Sequence, residues 1–225
     1  MAAEAPQRIK AEGLALLFWP GWLDGGLSAA LAVRQLSLEP QAPQATPGSS
    51  SADAWLERLL VEVPWRQEQI TLFGRTHPLP RLTCWVADPG CRYSYSGLLN
   101  EPKPWSPPLD ALRQRLVALL GCRFNSLLLN RYRHGGERMG WHADDEPELE
   151  ASAPIASLSL GASRSFRLKP KRSERLSLAP ISLELGHGDL LVMEAPTQRH
   201  WLHALPARLK VKNERINLTF RVVRG

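Results

Sequence analysis

Apolar and polar positions along this chain follow two periods, and the change falls near residue 124. Before it, the clearest pattern is "PLDALRQRLVALLG", where Leu109, Leu112, Leu116 and Leu119/Leu120 share one face of a 3.6-residue turn. Gly121 follows where a helix ends on a left-handed residue, so a helix is predicted here. "SADAWLERLLVEVPW" sets a capping Ser or Asp ahead of a similar pattern and predicts a helix near 53–62. "LALLFW" at 14–19 is a short apolar run before the turn "PGWLDGG", and residues 27–36 are a further helix candidate. The Pro-, Ser- and Ala-rich "SLEPQAPQATPGSSSAD" reads as a flexible linker or excursion.

From residue 124 the period becomes two. "FNSLLLNRY", "APIASLSLG", "SFRLK", "ISLELG", "DLLVME", "HWLHALP" and "RINLTFRVV" are predicted strands, separated by Gly, Pro, Asp and His turns. Many short strands after a helical segment point to an α+β fold. The expected architecture is a double-stranded β-helix, a cupin-like jelly roll with helices packed on one side.

Composition narrows the picture. A hydrophobic fraction of 44% supplies a proper core, and nineteen prolines with eight tryptophans favour a loop-rich fold over a helical bundle. The net charge of +6 biases the protein toward polyanions. Three cysteines without CxxC spacing indicate neither a disulfide framework nor a structural zinc site. No signal peptide and no membrane span are apparent, so a soluble intracellular protein, cytoplasmic or nuclear, is expected.

The polar faces of the strands carry the chemistry. In "LLLNRY", Asn130 and Tyr132 share a face. In "RINLTFR", Ile216, Leu218 and Phe220 form an apolar face, and Arg215, Asn217, Thr219 and Arg221 form the other. With both faces covered, two inward arginines need anionic partners. Six residues of strand span roughly 20 Å, so side chains reaching inward leave room for a short dicarboxylate. Bidentate pairing with carboxylates is what guanidinium geometry favours.

In "GWHADDE", His142 and Asp144 form an i, i+2 pair that aims at one point in extended backbone. A second imidazole would complete a two-His-one-carboxylate triad, which leaves positions open on Fe(II) for a co-substrate and O2. Of the six histidines, His203 is favoured as third ligand, with His200 its chief competitor; His187 in "GHGD" reads as a turn residue. Trp141 reads as either core packing or pocket wall, with core packing the favoured reading.

These residues together, "NRY…GWHADDE…PIASLSLGASRSF…GDLLVME…HWLHALP…RINLTFR", resemble the AlkB family of Fe(II)/2-oxoglutarate-dependent dioxygenases over roughly residues 64–223. The likeness is greatest to the branch that repairs double-stranded DNA with an intercalating finger. It implies His142, Asp144 and His203 as iron ligands, and Asn130, Tyr132, Arg215, Asn217 and Arg221 as 2-oxoglutarate contacts. Arg215 would take the distal carboxylate and Arg221 the end near iron. Tyr93, Tyr95 and Glu146 would form the pocket for a flipped base. Phe73 beside Gly74 would be the finger's wedge, with Arg81 close by, and Lys169, Lys171 and Arg172 would contact phosphates.

The implied cofactors are Fe(II), 2-oxoglutarate and O2. The implied reaction is oxidative N-dealkylation of 1-methyladenine- and 3-methylcytosine-type lesions in DNA, releasing succinate, CO2 and formaldehyde. Residues 1–63 are expected as a flank, and 64–225 as the dioxygenase domain, with a nucleotide-recognition lid over about 64–100. The expected partner is alkylated, duplex-competent DNA, with no membrane, and the protein is expected to be a monomer. An RNA or single-strand demethylase with the same iron site is the alternative, and a non-enzymatic nucleic-acid-binding jelly roll the third reading.

Overall fold

The structure, a computed structural model, describes residues 5–25, 51–72, 74–91, 93–95, 98–100, 102–171 and 178–224. The helix expected over 27–36 and most of the Pro/Ser-rich linker lie outside these residues. Two strands open the chain, β1 (Gln7–Ala11) and β2 (Leu14–Trp19). They turn through Gly13, whose φ of 70° suits only glycine without strain, and a Cβ there would lie 2.7 Å from the His200 side chain. Helix α1 (Ser51–Glu62) follows, its first turn capped where Asp24 Oδ1 accepts the Ala52 N–H at 2.8 Å. Then come the hairpin β3 (Gln69–Leu72) and β4 (Arg75–Pro78), strand β5 (Leu82–Ala87), and the small hairpin β6 (Tyr93–Tyr95) and β7 (Leu98–Asn100).

Helix α2 (Pro107–Leu120) begins on proline, which costs nothing in the first turn because that N–H has no helical partner. It ends at Gly121, left-handed at φ 66°, whose N–H donates to Val117 O at 2.8 Å. The remaining chain is β8 (Ser126–Tyr132), β9 (Met139–His142), β10 (Ile155–Gly161), β11 (Arg164–Pro170), β12 (Ile181–Leu185), β13 (Leu190–Met193), the short helix α3 (Thr197–His200), β14 (Trp201–Leu205) and β15 (Arg215–Arg221). The predicted strands, and the helices predicted near 53–62 and over "PLDALRQRLVALLG", are therefore present.

Two antiparallel sheets face each other. The major sheet runs β1-β2-β13-β10-β15-β8-β5, and the minor sheet runs β12-β11-β14-β9. On the outer face of the major sheet, Leu127, Leu129, Leu158, Leu160, Ile216, Leu218 and Phe220 meet Leu109, Leu112 and Leu116 of α2 in one apolar core. A second core lies between the sheets at one end, where Leu14, Leu16, Leu191 and Met193 meet Phe166, Leu168, Leu185 and Trp201. At the other end the inner face turns polar, because the alternate residues of β10, β15 and β8 are Ser, Arg, Asn, Thr and Tyr. Strand alternation alone thus gives the major sheet a greasy back and a polar inner face.

Residues expected as a flank are built into this frame. β2 pairs with β13 and extends the major sheet, and Leu14, Leu16 and Trp19 are buried. Within the expected lid segment, β5 is itself a major-sheet strand, paired with β8. Among the described residues no helix is long and apolar enough to cross a membrane.

Leu112 is wholly buried between α2 and the sheet. Leu112→Ala should lower stability by about 2–5 kcal/mol, measured by urea denaturation; a loss below about 1 kcal/mol would place α2 outside the cooperative core.

Candidate active site

The polar inner face converges with β9 and β14 on one cavity. Residues Asn130, Tyr132, His142, Asp144, His203, Arg215, Asn217 and Arg221 all line it. The register explains the convergence. His203 of β14 pairs directly with His142 of β9, and Arg215, Asn217 and Arg221 of β15 sit opposite Tyr132, Asn130 and Ser126 of β8.

His142, Asp144 and His203 form a tight group, with one ligand atom from each lying within 4.8 Å of the others. The two imidazoles are 4.2 Å apart between centroids. His142 Nδ1 is 2.9 Å from Gly140 O, a group that can only accept, so Nδ1 donates there and Nε2 faces Asp144 Oδ1, 3.9 Å away. Burial pushes His203 down to about 3, aided by the neighbouring His142, so this imidazole is neutral at working pH. Burial works to raise the Asp144 carboxyl, but the Arg221 guanidinium, with His203 and His142 beside it, outweighs burial and holds Asp144 below its ordinary value. Two imidazoles and an ionised carboxylate are the donor set that a first-row divalent metal takes in a facial triad.

The two arginines of β15 are treated differently. Arg221 Nη2 donates to Asp144 Oδ1 at 2.7 Å, with both side chains buried. Arg215 is 2% exposed and its hydrogen bonds go to neutral groups: Nη1 donates to Leu185 O at 3.1 Å and Nη2 to Ser159 Oγ at 2.7 Å, while the Asp189 carboxylate acts on it through space without a hydrogen bond among the described residues. Burial pushes its guanidinium down to about 10, still cationic at neutral pH. A buried cation with no carboxylate hydrogen-bonded to it is an open place for one. Tyr132 lies beside it, buried, with the Arg164 guanidinium 5.9 Å from its ring. Burial raises its phenol, so the hydroxyl stays protonated and able to donate. Asn217 Nδ2 donates to Ser157 Oγ at 2.8 Å, and its Oδ1 accepts from Thr219 at 3.0 Å.

An adjoining cavity shares His142, Asp144 and Arg221, and adds Glu146, Glu68, Trp85 and Leu128. Glu146 therefore stands beside the metal group, in a space with both apolar walls and carboxylates. Arg81, expected as a DNA contact near the finger, differs: it is 3% exposed, lines this cavity, and its Nε donates to Asn130 Oδ1 at 2.7 Å. Its place just before β5, beside β8, turns it inward. Gly74 occupies the turn of the β3–β4 hairpin at φ 74°.

Phe73 and Arg172 lie outside the described residues, as do the side chains of Tyr93 and Tyr95. Lys171 pairs with Asp145 at 2.6 Å on the rim, and Lys169 Nζ sits 4.3 Å over the Trp141 ring. Trp141, expected in the core, is 40% exposed because it alternates with the inward His142 on an edge strand. His200 lies in α3 against Gly13, outside the group of three, and His187 Nδ1 accepts the Gly161 N–H at 2.8 Å as a turn residue. Sequence reasoning passed over Ser157 and Ser159, though their alternation with leucine in "SLSLG" marks a polar inner face. It also passed over Arg164 and Gln198, for which no local signal exists.

The comparisons agree with this geometry. Residues 43–221 match the model of the 2OG-Fe(II) oxygenase superfamily. The chain is 42% identical to the DNA oxidative demethylase ALKBH2 of Bos taurus over 183 residues, covering 78% of this chain and 66% of that protein. The Homo sapiens ALKBH2 is 41% identical over the same share of this chain and 70% of its own length. The alpha-ketoglutarate-dependent dioxygenase alkB homolog 3 of Rattus norvegicus is 41% identical over 178 residues, 76% of this chain and 60% of that protein.

His203 binds a proton far less readily when folded than its ordinary value of 6.5 allows. Unfolding therefore takes up a proton between pH 6.5 and about 3, and acid in that window favours the unfolded state. The metal-free protein should lose stability as pH falls through it, and His203→Gln should flatten that slope in denaturation curves taken across it. An unchanged slope would mean that His203 is not buried as a neutral imidazole.

Proposed function

The chain belongs to the 2OG-Fe(II) oxygenase superfamily, within the AlkB family, and we propose that it repairs alkylated DNA by oxidative N-demethylation. It is a dioxygenase whose cofactors are Fe(II), 2-oxoglutarate and O2. The observation that carries the reading is the presence, in one cavity, of the His142–Asp144–His203 group and the buried Arg215, whose hydrogen bonds go to neutral groups.

His142, Asp144 and His203 hold iron, and Arg215 receives the distal carboxylate of 2-oxoglutarate, with the Tyr132 hydroxyl beside it. Asn130 and Asn217 shape the cavity between these ends, and Arg221 keeps Asp144 ionised while adding positive charge near the metal end. When bound, iron, 2-oxoglutarate and O2 supply the oxidation that hydroxylates the N-alkyl group, with succinate and CO2 released and formaldehyde leaving the base. The base enters the adjoining cavity, where the Glu146 carboxylate favours a cationic ring such as 1-methyladenine or 3-methylcytosine, and Trp85 and Leu128 exclude water. Tyr93 and Tyr95 are assigned to the same pocket on sequence alone, as are the phosphate contacts of Lys169, Lys171 and Arg172. The protein acts inside the cell, as a monomer, on duplex DNA, which Phe73 enters as a wedge. This last step rests on "QITLFGRTHP".

The test is anaerobic reconstitution with Fe(II), then addition of O2, 2-oxoglutarate and a 1-methyladenine oligonucleotide, with formaldehyde and succinate measured. Turnover is expected, and His142→Ala should abolish it; no turnover, or an unaffected variant, would contradict the reading. Arg215→Leu should raise the KM for 2-oxoglutarate by at least about tenfold, since a charged partner is lost from a buried site. Phe73→Ala should slow repair of duplex substrate and spare single strands; equal effects on both would favour a single-strand or RNA demethylase.

A further inference from the structure

Strand β9 ends at His142, and its pairing with β14 shifts register at that point. Asp144 lies beyond the strand, yet its backbone is not left to water. Its N–H donates to Gln198 Oε1 at 2.9 Å. The other end of the same carboxamide, Nε2, donates to the Met193 thioether at 3.2 Å, and Met193 lines the cavity. Only one orientation of the amide serves both contacts, because a flipped amide would set N–H against N–H.

Gln198 stands in α3, whose last residue leads directly into β14, the strand that carries His203. This corner is itself tied down. Thr197 Oγ1 accepts the Ala15 N–H at 3.0 Å and lies 3.1 Å from Ala15 O, and Trp201 Nε1 donates to Glu12 O at 3.0 Å. The metal group has two arms, one from the β9 end and one from β14. Gln198 joins the free end of the first to the root of the second.

We infer that Gln198 is a positioning residue for the metal site: its carboxamide sets the Asp144 peptide against the α3–β14 corner and fixes the separation of the two arms before metal binds. The inference rests on the reading of His142, Asp144 and His203 as ligands. Gln198 donates no atom to metal or substrate. Its effect is to remove in the folded protein an ordering cost that metal binding would otherwise carry.

The experiment titrates Co(II) anaerobically into the full-length apoprotein, follows visible absorption, and records the apo thermal midpoint of each variant. Wild type should take up one Co(II) and His142→Ala none, an outcome that tests the ligand reading by itself. Wild type failing to bind would overturn that reading and this inference with it. Given wild-type binding, Gln198→Met, similar in length but with only a weakly accepting sulfur in place of the carboxamide oxygen, should weaken Co(II) about tenfold at an unchanged apo midpoint. Gln198→Glu, which keeps an oxygen for the Asp144 N–H, should recover most of the loss. Gln198→Met binding as tightly as wild type would overturn the inference. So would Gln198→Glu binding as weakly as Gln198→Met, or an apo midpoint that falls together with affinity in both.

Discussion

The ion pair between Arg221 and Asp144, buried at 2.7 Å, is the contact on which the site depends. Arg221 ends β15 of the major sheet, and Asp144 follows β9 of the minor sheet, so the pair bridges the open polar end of the sandwich. Neither charge tolerates burial alone; removing one partner of such a pair costs about 3–5 kcal/mol. The arginine also holds the carboxylate ionised against the raising effect of burial, which is the state a metal requires. One contact therefore closes the fold and prepares a ligand.

Arg215, six positions earlier on the same face, shows the complementary case. Its head is satisfied in part by Ser159 and the Leu185 carbonyl, and no described carboxylate hydrogen-bonds to it. The fold tolerates this buried cation because the hydrocarbon on the back of the major sheet, packed against α2, makes the frame secure. Stability is concentrated at the outer core and at the Leu- and Trp-rich end between the sheets, and the polar end is left for chemistry. The division follows from which residues alternate along β10, β15 and β8.

Those alternations made much of the site legible in the sequence. The polar and apolar faces of "RINLTFR" are the faces seen, and the leucine spacing of α2 with Gly121 at its end marked that helix. His142 and Asp144 were readable as a pair because i, i+2 spacing survives in any extended backbone. What was not legible arises from long-range pairing. "LALLFW" is apolar at every position, so no period declares its partner, and that partner, β13, lies far along the chain. Arg81 before a strand reads as a surface cation; only the approach of β8 turns it to Asn130. Gln198 acts from its side chain onto a distant peptide, an interaction without any sequence spacing.

The central claim is that one cavity holds a metal on His142, Asp144 and His203 and a dicarboxylate reaching to Arg215. A crystal structure of the protein with Mn(II) and 2-oxoglutarate, with the metal located by anomalous scattering, tests it most directly. The account predicts a single metal about 2.1 Å from one atom of each of the three residues and the distal carboxylate paired with the Arg215 guanidinium. A metal held elsewhere, or a 2-oxoglutarate whose distal carboxylate leaves Arg215 without an anion, would contradict it.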